Sequence, residues 1–167
     1  MGAGAVGRIA ALAAAVMLAV MMWVTAWAGP AAAKTRNPCK VLKASEIAAE
    51  FDGASVADPQ PGLKTAVSAG CTWEVAATAV TPDGDVTVSL MTTGAKPAYA
   101  GMKKMDGIET VSGRSRTLYM PSTGALMTLD GSTLITVQGV FLEGPPIRQV
   151  DVRDRLLPLL DLAQQRV

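Results

Sequence analysis

The chain has 167 residues, 50% of them hydrophobic and 17% charged, with a formal net charge of +1 and no histidine. This length suits one domain, and a charge balance near zero excludes the basic excess of a generic nucleic-acid binder. The lack of histidine removes the commonest general base and the commonest metal ligand together.

The apolar excess is concentrated at the front. Residues 9–28 carry no charge, Thr25 is the one polar residue among them, and Arg8 supplies a positive flank. Gly29-Pro30 and then Ala31-Ala32-Ala33 follow, the small-residue pattern that a signal peptidase accepts on an extended backbone. Residues 1–33 are therefore expected to be a signal peptide cut after Ala33, with Ala26-Trp27-Ala28 offering a second cut. The alternative is an uncleaved anchor, since residues 9–28 as a helix would rise about 30 Å, enough to span a bilayer. Trp23 and Trp27 would suit its interfacial end. Both readings place residues 34–167, one neutral domain, outside the cytosol, in the periplasm, cell envelope or extracellular space.

Within that domain, Asn37-Pro38 can start a helix, and Val41, Leu42, Ile47 and Phe51 recur near helical spacing, which predicts a helix over 38–51 ended by Asp52-Gly53. Residues 52–68, with Pro59 and Pro61, read as a loop or a weak edge strand. Cys71, Trp73 and Val75 alternate on one face, Thr81-Pro82-Asp83-Gly84 is a turn, and Val86, Val88 and Leu90 alternate again, so a hairpin is expected. A weaker helix follows over 95–105, interrupted by Pro97 and closed by Gly107. Short strands are expected at 110–112, 116–120 and 125–129, a long one at 133–142, and Gly144-Pro145-Pro146 stops the run. Val152, Leu156, Leu159, Leu160, Ala163 and Val167 form a helical stripe over 151–167 that contains Pro158. Strands joined by tight turns, with few helices, point to an α+β fold: an antiparallel sheet packed against N-terminal and C-terminal helices.

Cys39 and Cys71 are the two cysteines, both in the exported part. In an oxidising compartment an even pair becomes a disulfide, here closing a loop of about 33 residues. The functional alternative, a redox or metal pair, lacks the short Cys-x-x-Cys spacing and a histidine to complete a zinc site.

The remaining candidates each have a bland and a functional reading. Trp73 either packs in the core beside Cys71 or serves as a flat ligand platform. Lys103, Lys104, Arg114 and Arg116 form a basic cluster that could meet an anionic lipid, glycan or phosphate, or be a solvated surface. Met102 and Met105 could offer thioethers to Cu(I), but read better as gap-filling residues. Asp83 and Asp85 read as turn chemistry rather than a calcium loop, and Lys43 with Ser45 cannot form a dyad two positions apart on a helix. Glu46, Glu50, Glu74 and Glu109 would serve a carboxylate-based hydrolase if two of them converged about 5 to 9.5 Å apart in a pocket. No metal, cofactor or nucleic acid is expected from this set.

Asn37-Pro38-Cys39-Lys40-Val41-Leu42, the following Ala44-Ser45-Glu46-Ile47, the unit Cys71-Thr72-Trp73, Val111-Ser112-Gly113 ahead of Tyr119, and a closing Leu- and Ala-rich helix resemble a secreted actinobacterial cell-envelope domain family of unknown function, many of whose members are lipoproteins. The lipid-bearing cysteine is absent here, and Lys43-Ala44 replaces the family's Thr-Pro helix start. The resemblance implies a Cys39–Cys71 disulfide and a sheet-and-helix sandwich, and no established activity. The expected function is a non-catalytic envelope protein that binds another exported protein, a lipid or a glycan, through a sheet face or the loops around 54–68 and 92–108. The competing expectation is a membrane-anchored accessory subunit held by residues 9–28.

Overall fold

The computed structural model describes residues 37–142 and 149–167, without the side chains of 149–151. The expected signal peptide over 1–33, the anchor over 9–28 and the Gly144-Pro145-Pro146 stop lie outside the described residues.

Seven antiparallel strands form one sheet in the order β1-β2-β3-β7-β6-β5-β4. They are β1 (Gln60–Lys64), β2 (Ser68–Val75), β3 (Gly84–Met91), β4 (Glu109–Thr110), β5 (Thr117–Met120), β6 (Ala125–Asp130) and β7 (Thr133–Phe141). Three α-helices accompany them: α1 (Ala44–Glu50), α2 (Ala95–Met102) and α3 (Gln149–Arg166). The expected α+β architecture is thus present, and so is the Cys39–Cys71 disulfide, with Cα atoms 5.1 Å apart.

Residues opposed in antiparallel strands share a face. The register pairs Trp73 with Val86, Cys71 with Val88, Val88 with Val137 and Leu126 with Val137, so these residues line one face. That face packs into the main core with Ile47, Phe51, Leu156, Leu159, Leu160 and Ala163, contributed by α3 and the α1 segment. Leu118, Met127 and Leu134 lie on the opposite face, where Ala95 and Tyr99 of α2 cover them as a second core. The helices therefore sit on both sides of the sheet. The sequence pattern did not reveal α2's side, because only Ala95 and Tyr99 of this helix are buried.

The helix expected over 38–51 divides in two. Pro38–Lys40 is a 3-10 turn capped by the Asn37 side chain, which accepts a hydrogen bond from the Cys39 backbone N–H at 3.0 Å. The chain then turns so that Val41 and Leu42 are both buried, before α1 begins at Ala44. Glu46 substitutes for the missing cap by accepting a hydrogen bond from the Lys43 backbone N–H at 2.9 Å. Asp52 and Gly53 close α1 with φ of 55° and 72°, and Gly53 N–H reaches Ala48 O at 2.8 Å.

Arginines fasten α3 across the core. Arg166 meets both Glu46 carboxylate oxygens at 2.7 Å and the Val41 carbonyl at 2.8 Å. Arg155 donates to Asp52 at 2.6 Å and to the Glu50 carbonyl at 2.9 Å. Asp161 receives a forked pair from Arg114 of the β4–β5 hairpin. α3 runs continuously through Pro158, although Pro158 withholds one backbone hydrogen bond.

Candidate functional site

A concavity with polar and apolar walls lies where β2 ends, β3 begins and β7 ends. Its volume is about 460 Å³, and its walls include Ser55, Ala57, Glu74, Asp83, Asp85, Val140 and Leu142. Backbone pairing builds the rim: Ala57 N–H donates to Glu74 O, Ala76 N–H to Ser55 O and Leu142 N–H to Asp83 O. The register sets Glu74 directly opposite Asp85, and Asp85 opposite Val140. Among the described residues, every charged one in the lining is acidic. Val140 is 50% exposed and Leu142 69%, so an apolar lip borders the carboxylates.

Two like charges directly opposed in a sheet cost roughly 0.2–1 kcal/mol, the reverse of what folding alone favours. Retaining such a pair is the kind of local inconsistency expected where binding governs the residues. Asp83 is partly committed, because its Oδ1 accepts a hydrogen bond from the Ala77 backbone N–H and fastens the 77–83 loop. That is the turn role expected of it. Among the described residues no three acidic, cysteine or histidine side chains are placed to hold a metal ion.

The sequence-derived candidates fall elsewhere. Trp73 is fully buried in the main core, on the disulfide's face, and offers no binding surface. Its alternation with Cys71 puts it there, so its place in a candidate surface is corrected. The basic cluster is also not one patch. Arg114 turns to α3 and pairs with Asp161, which raises its pKa further by hydrogen bonding. Lys103 and Lys104 are exposed at the end of α2, on the other side of the sheet, and Arg116 is exposed beside β5.

Glu46, Glu50, Glu74 and Glu109 do not gather in a pocket: Glu46 and Glu50 stand one turn apart on α1 and line none of the described concavities, whereas Glu74 lines the cleft. Hydrogen bonding from Arg166, with help from the Lys43 N–H, holds the Glu46 carboxyl down at about 2. Glu109 lies on β4 and Glu74 on β2, five strand positions apart, or about 24 Å. The thioethers do not converge either. Met91, Met102, Met120 and Met127 are spread through the second core, where Met91 on β3 and Met120 on β5 stand three strands and four residue positions apart, a separation of about 20 Å. Met105, the second member of the Met102–Met105 pair, is 56% exposed.

No family model, curated protein or solved structure matches this chain.

A smaller depression of about 290 Å³ lies on the same sheet face, between the β1–β2 hairpin and β3. It is lined by Thr72, Thr87 and Ser89, and the Thr72 and Thr87 hydroxyls are 2.9 Å apart. These hydroxyls face one another, which satisfies them within the sheet. Among the described residues no helix is long and apolar enough to cross a membrane.

Sequence reasoning missed the acidic cleft as a unit, because Glu74 was weighed with other glutamates and Asp83 and Asp85 as a turn. The hairpin alone does not give this register: β2 and β3 are joined by residues 76–83, a longer loop than the Thr81–Gly84 turn, and only that loop length brings Glu74 opposite Asp85.

Proposed function

We propose that this chain is a non-catalytic, exported envelope protein that binds a cationic, amphiphilic segment of another exported protein. The observation that carries this reading is the cleft: Glu74, Asp83 and Asp85 beside exposed Val140 and Leu142, with no basic residue among the described residues of its lining. A segment alternating Lys or Arg with Leu would place its cations on the carboxylates and its apolar side chains on the lip. Export is supported by the apolar run over 9–28, by Ala31-Ala32-Ala33 and by a disulfide of the kind oxidising compartments maintain. The resemblance to an actinobacterial envelope domain family agrees with this setting.

The test is a titration of the protein with a synthetic peptide of alternating lysine and leucine, followed by calorimetry at low and high salt. Salt-sensitive binding that Glu74→Lys weakens by at least about tenfold is expected, since the substitution converts an attraction into a repulsion. Glu74→Lys should also hold or raise stability, because it turns the like-charge pair with Asp85 into an opposite-charge pair. Equal binding by both proteins would refute the assignment.

A further inference from the structure

The cleft accounts for one charged surface; α2 presents a second, of opposite sign. Ala95 and Tyr99 of α2 point into the second core, which leaves Lys96, Ala100 and Gly101 on its solvent side. Lys103 continues the right-handed helical turn and Lys104 follows, both exposed. Seven residues on a helix return to nearly the same direction, so Lys96 and Lys103 lie in line about 10.5 Å apart. None of the three lysines has an ion pair or side-chain hydrogen bond among the described residues. Asp106 is the single acidic residue between positions 92 and 108. The carboxylates of neighbouring strands turn away: by register Glu109 and Asp130 sit on the α3 side of the sheet, and Glu109 there approaches Arg153 at 3.9 Å. Met105, 56% exposed, completes the surface with an unbranched apolar side chain beside the lysines.

The two charged surfaces are also well separated. Asp85 near the start of β3 lines the cleft, and Met91 at its end leads into α2. Six residues of strand put about 20 Å between them. Both lie on the α2 side of the sheet, since Glu74, Asp85 and Val140 alternate with the main-core residues, so a planar anionic surface would be drawn to the α2 end of the strands and repelled from the cleft end.

The geometry points to the outer face of α2, with Lys96, Lys103, Lys104 and Met105, as a docking surface for a bilayer rich in anionic lipid. Small residues at Ala100 and Gly101 let the lysine stems approach headgroups closely, and Met105 reaches the headgroup level. Each lysine near such a surface contributes about a fivefold gain in binding, so the three together give about a hundredfold at low salt. That is too weak to hold a protein alone, and stable attachment takes a second signal. The surface therefore orients a domain already near the membrane. The cleft then lies at the far end of the strands from the docked helix, although the inference does not depend on the partner's identity.

The test uses the full chain mixed with vesicles of phosphatidylcholine alone or of phosphatidylcholine with phosphatidylglycerol. Lysine acetylation rates are read residue by residue by mass spectrometry, with exposed Lys40 and Lys64 as internal references. Expected is a slowing of at least about fivefold at Lys96, Lys103 and Lys104 on phosphatidylglycerol vesicles only, abolished by 0.5 M salt. Peroxide oxidation of Met105 gives a second reading. It should slow on the same vesicles in the native chain and not in the variant carrying Lys96→Gln, Lys103→Gln and Lys104→Gln, whose exposed substitutions leave the fold intact. Uniform acetylation, equal protection of Lys40 and Lys64, or unchanged Met105 protection in the variant would overturn the inference. Protection by inorganic phosphate without vesicles would also overturn it, in favour of a discrete phosphate site.

Discussion

The disulfide offers the sharpest test of how this fold is held. Cys39 lies just after the start of the 3-10 turn and Cys71 is fully buried in β2 beside Trp73, with a sequence separation of 32. Cys39→Ala removes the cross-link at its half-buried end and leaves Cys71 as a small apolar side chain in the core. For a closed loop of about 33 residues, the lost restriction of the unfolded chain corresponds to about 3.7 kcal/mol at 25 °C. With about 130 ordered residues and about 2.1 cal/mol/K of unfolding entropy per residue, this lowers Tm by about 13 °C. Denaturant titration at 25 °C and a thermal scan, each with and without reductant, measure both quantities. Because the effect lies in the unfolded chain, the variant should also show a larger denaturant slope, as a less restricted chain exposes more surface. A loss below about 1 kcal/mol, with an unchanged slope, would refute the loop argument and assign the stability of this region to packing alone.

Acid should weaken the α1–α3 clasp. The Glu46 carboxyl sits at about 2 in the folded chain, well below its unfolded value, so the unfolded state binds more protons between these values. Its contribution, about 1–2 kcal/mol after solvent screening, is present above about pH 4.5 and is lost as pH falls toward 2. Arg166→Ala should flatten that part of the stability–pH curve, measured by denaturant midpoints; an unchanged slope would count against the clasp. Gly124 has φ of 62°, and an added Cβ would meet the Gly139 carbonyl at 2.5 Å. Gly124→Ala should therefore cost about 2–4 kcal/mol in equilibrium unfolding, through both strain and backbone collision. The Trp73 Nε1 is buried without a partner among the described residues. Trp73→Phe removes that orphan donor and should cost about 1–2 kcal/mol, against about 3–5 for Trp73→Ala, a gap read from the same titrations.

Much of this architecture is written in local patterns. Alternation marks β2, β3 and β7, and the stripe from Val152 to Ala163 marks α3. The Cys39–Cys71 pair needed only composition and compartment. Other features arise from contacts between distant residues. The first helix breaks at Lys43, which is extended (φ −106°, ψ 148°) ahead of α1, and no capping side chain at that position marks the break in the sequence. Arg166 and Glu46 are 120 positions apart, and nothing local to either signals the clasp. The basic cluster failed for the same reason: Arg114 looks free beside Arg116, and its partner Asp161 appears only once α3 lies across the sheet. Helical periodicity, rather than adjacency, joins Lys96 to Lys103, so a run of neighbouring charges in the sequence does not show the pair.

The placement of α3 also sets an order of events during synthesis. Cys39 and Cys71 can meet as soon as β2 exists, while the main core stays open until Leu156, Leu159, Leu160 and Ala163 arrive. Arg166 then closes onto Glu46 and Val41. A nascent chain that has not yet added α3 therefore lacks one wall of its main core, and the sheet, the α1 segment and α3 shut it together.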